Sequence, residues 1–286
     1  MLAMRILPLG LVASGLLVVA ACGENETPPP TKSAYVATEP EALPCVPNLD
    51  GKIEARELSP QLGIAATYLV SPAGRERTVD LVGAERDGKR SWNFGVDFAD
   101  DQVARIAAQK LDGKWYAAEF AGLKDAFVTP IDAGGISEGV YTHDENAFSL
   151  HGVASASPDG PNKTLLKYDT PIALYRFPLE PGVSYATTGE VRNGTFRGLP
   201  YAGRDTYEVK VDAAGELTLP DFTVTQALRV RTKVTISPAA GQVTTQRQTS
   251  FLFECLGEVV RATSKLEEPN EDFNTATELR RLGLAP

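Results

Sequence analysis

The chain has 286 residues, with 28 Lys and Arg against 37 Asp and Glu, and a formal net charge of −9 at pH 7. This acidic balance excludes a general nucleic-acid binder, because phosphate contact requires a surplus of cationic side chains. The length is sufficient for one large β domain or for two smaller ones.

The first 21 residues have the order of parts of a bacterial signal peptide. A short segment with a single charge, Arg5, precedes the apolar run Ile6–Val19. That run is too short and too interrupted for a transmembrane anchor of roughly 20 residues. Val19-Ala20-Ala21-Cys22 resembles the lipobox of bacterial lipoproteins. The resemblance implies cleavage before Cys22 and acylation of its thiol; the alternative is a secreted protein with a chance cysteine at the cleavage site.

Residues 22–44 then form a lipidated cysteine and a Pro-rich tether. The segment contains Pro28-Pro29-Pro30 and almost no aliphatic residues, so it cannot bury enough apolar area to fold. Two or more acyl chains give lasting membrane attachment. Gly23, rather than Asp, follows the cysteine. By resemblance to enterobacterial sorting, this favours the periplasmic side of the outer membrane.

The chain contains three cysteines, Cys22, Cys45 and Cys255. If Cys22 is acylated, two remain in an oxidising compartment. A Cys45–Cys255 disulfide is therefore predicted, and two buried free thiols are the alternative.

The stretch from Asp50 to Glu57 partly matches a calcium-binding loop, with Glu54 and Glu57 at ligand positions. Its first ligand position would be Val46, which cannot coordinate calcium. The favoured interpretation is an Asp-Gly turn that leads into a short helix over Ile53–Leu58. A calcium-dependent module at Asp50–Glu57 stays as an alternative.

From Ile64 onward, short alternating segments and turn residues predict antiparallel strands without a long helix. Asp87-Gly88 predicts one hairpin turn, and Glu138–Ser155 predicts a second hairpin. Phe222–Ile236 alternates with period 2 over 15 residues, which predicts one buried face and one solvent-exposed face.

Two further dipeptides, Asn193-Gly194 and Ala214-Gly215, are typical of turns between strands. Residues 267–286 read as a polar tail with one short helix. In that helix Asp272 would lie near the N-terminal end, and Arg280 and Arg281 would lie near the C-terminal end. The predicted fold is all-β, a large curved antiparallel sheet over residues 45–266, half-barrel or sandwich-like, followed by this helix.

The strand pattern supports a distant resemblance. Leu174–Leu179, Leu217–Pro220 and Ala227–Thr232 resemble a pattern that recurs in uncharacterised secreted and lipoprotein β-sheet proteins of bacterial envelopes. More distantly, the pattern is similar to the half-barrels of Lol-type lipoprotein carriers. The resemblance implies one wide, curved antiparallel sheet with an apolar concave face, and it transfers no functional residues.

One enzyme motif occurs. Gly135-Ile136-Ser137-Glu138-Gly139 fits a nucleophile elbow, and Asp144 and His151 follow in the chain order of an α/β-hydrolase triad. The elbow requires a strand before it and a helix after it, whereas a strand follows here. A serine hydrolase that uses Ser137 is therefore kept only as an alternative.

His143 and His151 are the only histidines. They could face each other across a hairpin and bind a metal, but polar surface positions explain them as well. No cysteine pair has zinc-ligand spacing, and no catalytic residue, metal or cofactor is predicted. The sequence therefore predicts a non-enzymatic, lipid-anchored envelope protein that binds an apolar ligand or another envelope protein, or serves as a scaffold.

Overall fold

The computed structural model describes residues 45–284, and its regular structure is almost entirely β, as predicted. Single 3-10 turns cover Ala55–Leu58 and Ala117–Phe120. The first of these confirms the short helical segment expected after Asp50. In chain order the strands are β1 (Ala65–Val70), β2 (Arg77–Thr78), β3 (Ala84–Arg86), β4 (Lys89–Asn93), β5 (Gln102–Ala107), β6 (Gln109–Lys110), β7 (Phe127–Pro130), β8 (Ser137–His143), β9 (Ala147–Ser155), β10 (Leu165–Arg176), β11 (Ser184–Phe196), β12 (Leu199–Thr218), β13 (Thr223–Pro238), β14 (Thr244–Phe253), β15 (Gly257–Leu266), β16 (Thr275–Ala276) and β17 (Glu278–Leu282).

Most of these strands form one sheet in the order β5-β1-β17-β15-β14-β13-β12-β11-β10-β9-β8-β7-β6. The two ends of this order belong to one extended run, because only Ala108 separates β5 from β6. β5 pairs with β1, and β6 pairs with β7. The sheet is therefore nearly closed and barrel-like, with an inner and an outer face.

The β3–β4 hairpin turns at Asp87-Gly88, as predicted, and both turn residues have positive φ. β4 then lies parallel to the distal part of β12, with Arg90 opposite Gly215. A Cβ on Gly215 would lie 2.3 Å from the Arg90 carbonyl oxygen. The predicted turn at Ala214-Gly215 is therefore wrong, since the glycine allows β4 to approach a continuous strand.

The predicted turn at Asn193-Gly194 is also wrong. These residues lie inside β11, at an irregularity in its register with β12 between Val191 and Gly194. A Cβ on Gly194 would lie 2.7 Å from Cγ1 of Val191. The chain turns instead at Arg197-Gly198, where both residues have positive φ. Close packing, rather than a turn, accounts for this glycine.

Apolar side chains fill both faces of the sheet. On the inner face, Val209, Leu228 and Leu252 are almost fully buried in one cluster. On the outer face, Trp92 and Phe94 pack on Phe251 with ring centroids 4.9 and 5.3 Å apart. The sheet therefore has a second core outside it, under the chain that carries β2 to β4.

The outer face of β13 is solvent-exposed only in part: Thr223 and Thr225 are exposed, as predicted, but the middle of the strand is not. Arg229 and Arg231 are only 3% and 6% exposed. Their Nε atoms lie 2.8 and 2.7 Å from the two carboxylate oxygens of Asp212, and Arg231 also pairs with Asp272. Cationic side chains are stable there because these carboxylates neutralise them.

The predicted C-terminal helix is wrong, because this segment forms β16 and β17. β17 lies between β1 and β15 and pairs with both. Its two faces are buried: Leu279 and Arg281 lie outward, and Arg280 and Leu282 lie inward. Backbone pairing on both sides and burial on both faces outweigh the local preference of a charged segment for helix.

The predicted disulfide between Cys45 and Cys255 is confirmed, with Cα atoms 5.5 Å apart and a sequence separation of 210. Cys255 lies in the turn between β14 and β15 and has a positive φ. Nearby, the buried Glu254 carboxylate accepts hydrogen bonds from the backbone amides of Asn48 and Leu49 at 2.6 and 2.9 Å. The start of the described chain is thus fixed to one end of the sheet.

We predict that breaking this disulfide lowers the melting temperature by roughly 10 °C. In the chain-entropy model, closure of so long a loop contributes up to about 5 kcal/mol, and each kcal/mol corresponds to roughly 2–4 °C in a domain of this size. Thermal unfolding with and without reductant measures the effect. The Cys45→Ser/Cys255→Ser variant is the control; it should match the reduced protein and show no response to reductant.

Candidate functional site

The inner face of the sheet encloses a cavity of about 430 Å³. Its walls come from β1, β5, β7 to β10, β14, β15 and β17. Inward side chains of these strands reach it because alternate residues of a strand point to the same face. Ala66 and Ile106 are such a pair, opposite each other on β1 and β5.

One wall of the cavity is aromatic. Phe127 of β7 is opposite Tyr141 of β8, and their rings stack with centroids 5.7 Å apart. Phe148 of β9 lies 5.6 and 5.2 Å from these two rings, and Tyr175 lies 5.9 Å from Phe148. These contacts hold the rings in fixed positions and give the cavity a rigid apolar surface.

The mouth of the cavity lies beside the disulfide. Residues 57–64 cross this end of the sheet, and Cys255 and Leu256 line the cavity from the β14–β15 turn. Ile64 is 67% exposed and Leu256 is 45% exposed, although both also line the cavity. An apolar rim at the mouth of an apolar cavity is a feature of ligand entry sites.

A group of charged side chains interrupts the apolar wall. Oε2 of Glu258 accepts hydrogen bonds from Nε of Arg261 at 2.9 Å and from Oγ of Ser250 at 2.8 Å. Oε1 of the same carboxylate lies 3.5 Å from Nη2 of Arg280. Arg261 and Arg280 are directly opposite each other on β15 and β17. Two cations therefore share one carboxylate inside the sheet.

The electrostatics of this group follow from burial. Burial acts to raise the pKa of Glu258, but the charges of Arg261 and Arg280 outweigh it and hold the pKa below its ordinary value. Burial also raises the pKa of Tyr68 to about 12 and that of Tyr141 to about 12. At neutral pH these tyrosines are protonated, and the Tyr68 hydroxyl donates a hydrogen bond to the Glu258 backbone carbonyl at 2.8 Å.

The structure does not bring the residues of the hydrolase hypothesis together. Ser137 is paired with Ser155, four residues along β9 from His151, a separation of roughly 13 Å at about 3.4 Å per residue. Nε2 of His151 lies 2.8 Å from the hydroxyl of Thr142. Asp144 accepts backbone hydrogen bonds within its own turn. No triad geometry exists for Ser137 among these residues.

In the stretch that partly matches a calcium loop, the carboxylates already have protein partners. Glu57 accepts hydrogen bonds from Nδ2 of Asn48 and from the amide of Glu54, both at 2.9 Å. Asp50 accepts one from the amide of Lys52 at 3.2 Å. Within residues 45–284, no group of three or more His, Cys, Asp or Glu is arranged to hold a metal ion.

The two histidines do not form a site together. His143 packs against Phe148 and Phe177, with ring centroids 6.0 and 5.4 Å away, whereas His151 is bonded to Thr142. Burial lowers the pKa of both imidazoles below the ordinary value. Both are packing residues of the β8–β9 hairpin.

Cys22, the predicted lipid attachment residue, lies outside the described residues. The cavity group of Glu258, Arg261 and Arg280 was missed by sequence reasoning. Part of its signal was present, since Glu258 and Arg261 flank the apolar pair Val259-Val260 at the start of β15, but Arg280 was assigned to the wrong kind of element.

Comparisons with protein-family models, with curated proteins and with solved structures found no match to this chain. Among residues 45–284, no helix is long and apolar enough to cross a membrane. The similarity to envelope lipoproteins and Lol-type carriers therefore stays a prediction. The function is inferred from the geometry of the cavity.

The two half-buried histidines predict a loss of stability in acid. Because the folded-state pKa of each lies below the ordinary value, the unfolded chain binds more protons as the pH falls through that value. Stability should therefore decrease from pH 7 to pH 5. Urea unfolding midpoints at the two pH values measure the decrease, which should be smaller in the His151→Gln variant; an unchanged decrease would contradict the assignment.

Proposed function

We propose that this chain is a non-enzymatic, lipid-anchored protein of the bacterial cell envelope that holds an apolar ligand inside its sheet. The observation that carries the proposal is the cavity of about 430 Å³. This volume lies within the range of small-molecule sites, about 300–1,000 Å³. Anchoring rests on Cys22 and the Pro-rich segment that follows it.

Three features support ligand binding over a purely structural role. The cavity wall is mainly apolar, with an ordered aromatic surface around Phe127 and Phe148. The rim carries exposed apolar side chains, Ile64 and Leu256. A scaffold surface requires neither an internal cavity nor an apolar mouth, because its partner would contact the outside of the sheet.

Ligand binding should be lost when the cavity is filled. We predict that Ala66→Trp weakens binding of the neutral probe N-phenyl-1-naphthylamine at least about tenfold, because the indole occupies space that an apolar ligand requires. Probe fluorescence in a titration measures the affinity. The matched control is Val103→Trp, on the neighbouring strand, where Val103 is 55% exposed; it should bind as the unmodified protein does.

Failure of the unmodified protein to bind the probe, together with an empty extract after native purification and mass spectrometry, would leave the scaffold interpretation in its place. Equal binding by the Ala66→Trp variant would remove the cavity as the binding site.

Lipid anchoring has a separate test. Expressed in a bacterium that receives labelled palmitate, the chain should incorporate label, and Cys22→Ala should abolish incorporation because the acylated thiol is absent. The Cys45→Ala/Cys255→Ala variant keeps Cys22 and should still be labelled. Label retained by Cys22→Ala would show that acylation, if present, occurs elsewhere.

A further inference from the structure

Arg280 is the least satisfied charged side chain at the cavity wall. It is 3% exposed, and among the described residues neither its Nε nor its Nη2 has a hydrogen-bond partner. Its contact with Glu258, at 3.5 Å, is longer than a charge-assisted hydrogen bond of about 2.7–2.9 Å. Glu258 accepts its shorter hydrogen bonds from Arg261 and Ser250.

The neighbouring charges do not complete the environment of Arg280. Burial and then the charge of Arg261 lower its pKa below the ordinary value, and Glu258 and Glu278 act in the opposite direction. Glu57, another carboxylate that lines the cavity, already accepts hydrogen bonds from the Asn48 side chain and from the Glu54 amide. Like charges directly opposite each other in a sheet are destabilising. Of the two guanidinium groups, that of Arg261 has the closer contact with Glu258, 2.8 Å from Nη2 to Oε2, and that of Arg280 has the longer one.

We propose that the cavity binds a single-chain amphiphile of the fatty-acid class, with its carboxylate on the guanidinium of Arg280 and its alkyl chain along the aromatic wall. This inference rests on the proposed function, since it assigns the chemistry of the ligand in the same cavity. Guanidinium groups recognise carboxylates through parallel N–H donors. Arg280 lines the cavity, and its Nε and Nη2, which have no partner, are covered by protein atoms, so a carboxylate that reaches them has to displace part of the cavity wall.

The size of the cavity selects one alkyl chain. A volume of about 430 Å³ lies near the lower end of small-molecule sites, about 300–1,000 Å³, so a di- or triacylated lipid would exceed it. Tyr141 and Tyr175 also line the cavity, and burial raises the pKa of both hydroxyl groups. These hydroxyl groups are neutral at pH 7, so they add no negative charge that would oppose an anionic head group.

A preference for anionic ligands cannot come from the overall charge, because the whole chain carries a net charge of −9. A protein of this charge does not attract anions to its surface in general. Preference for an anionic amphiphile over its uncharged analogue therefore has to come from the arginines in the cavity, which makes that preference the quantity to measure.

The experiment compares laurate with methyl laurate as competitors of bound N-phenyl-1-naphthylamine in the purified protein. Laurate should displace the probe at about a tenfold lower concentration, because a charge-assisted hydrogen bond to the guanidinium is lost in the ester. Arg280→Met should remove this preference and leave displacement by the ester unchanged. Arg280→Lys should retain part of the preference, and Arg192→Met, which alters an arginine that is 74% exposed, should retain all of it.

A second measurement needs no variant. With carboxyl-¹³C laurate bound to the unmodified protein, the carboxyl resonance should stay at its ionised position to lower pH than in free laurate. The assignment would be overturned if laurate and methyl laurate displaced the probe equally, if Arg280→Met kept the preference for laurate, or if the carboxyl titration were unshifted. Water would then be the partner of Arg280. If neither compound displaces the probe, or the probe does not bind, the proposed function fails as well.

Discussion

The extended run from Gln102 to Lys110 pairs with β1 on one side and with β7 on the other, and the interior of the protein depends on this double pairing. An open sheet of this length would have two free edges and one exposed apolar face. The nearly closed sheet leaves little free edge and turns the concave face into a partly enclosed volume. Side chains fill most of that volume, and the cavity is the part that they leave open.

Buried arginines lie on both faces of the sheet, and their environments differ. On the outer face, Arg229 and Arg231 share Asp212 at hydrogen-bond distance, and Arg281 pairs with Asp101 and with carbonyl oxygens of the chain that covers it. On the inner face, Arg280 lies 3.5 Å from Glu258 and over the ring of Tyr68, 5.8 Å from its centroid. The outer arginines fix a covering layer to the sheet, whereas the inner pair creates a polar point in an apolar cavity.

Strand alternation and hairpin turns were readable from the sequence because they depend on neighbours in the chain. The β8–β9 hairpin and β13 follow from period 2, and the Cys45–Cys255 pair follows from counting cysteines. The errors occur where distant segments decide the outcome. Gly215 is typical of a turn, yet it serves the approach of β4, and residues 278–282 form a strand because β1 and β15 lie on either side. The charged group at the cavity wall could not be predicted for the same reason, since Arg261 and Arg280 become neighbours only when β15 pairs with β17.

The position of β17 has a consequence for the order of folding. β1 pairs with β17, so the first long strand of the described chain joins the last, more than 200 residues later. The sheet therefore cannot close before β17 is available to pair with both β1 and β15. Contacts of such long range make folding slow. Until β17 is in place, the edges of β1 and β15 that it covers stay unpaired, and unpaired edges favour pairing with other chains.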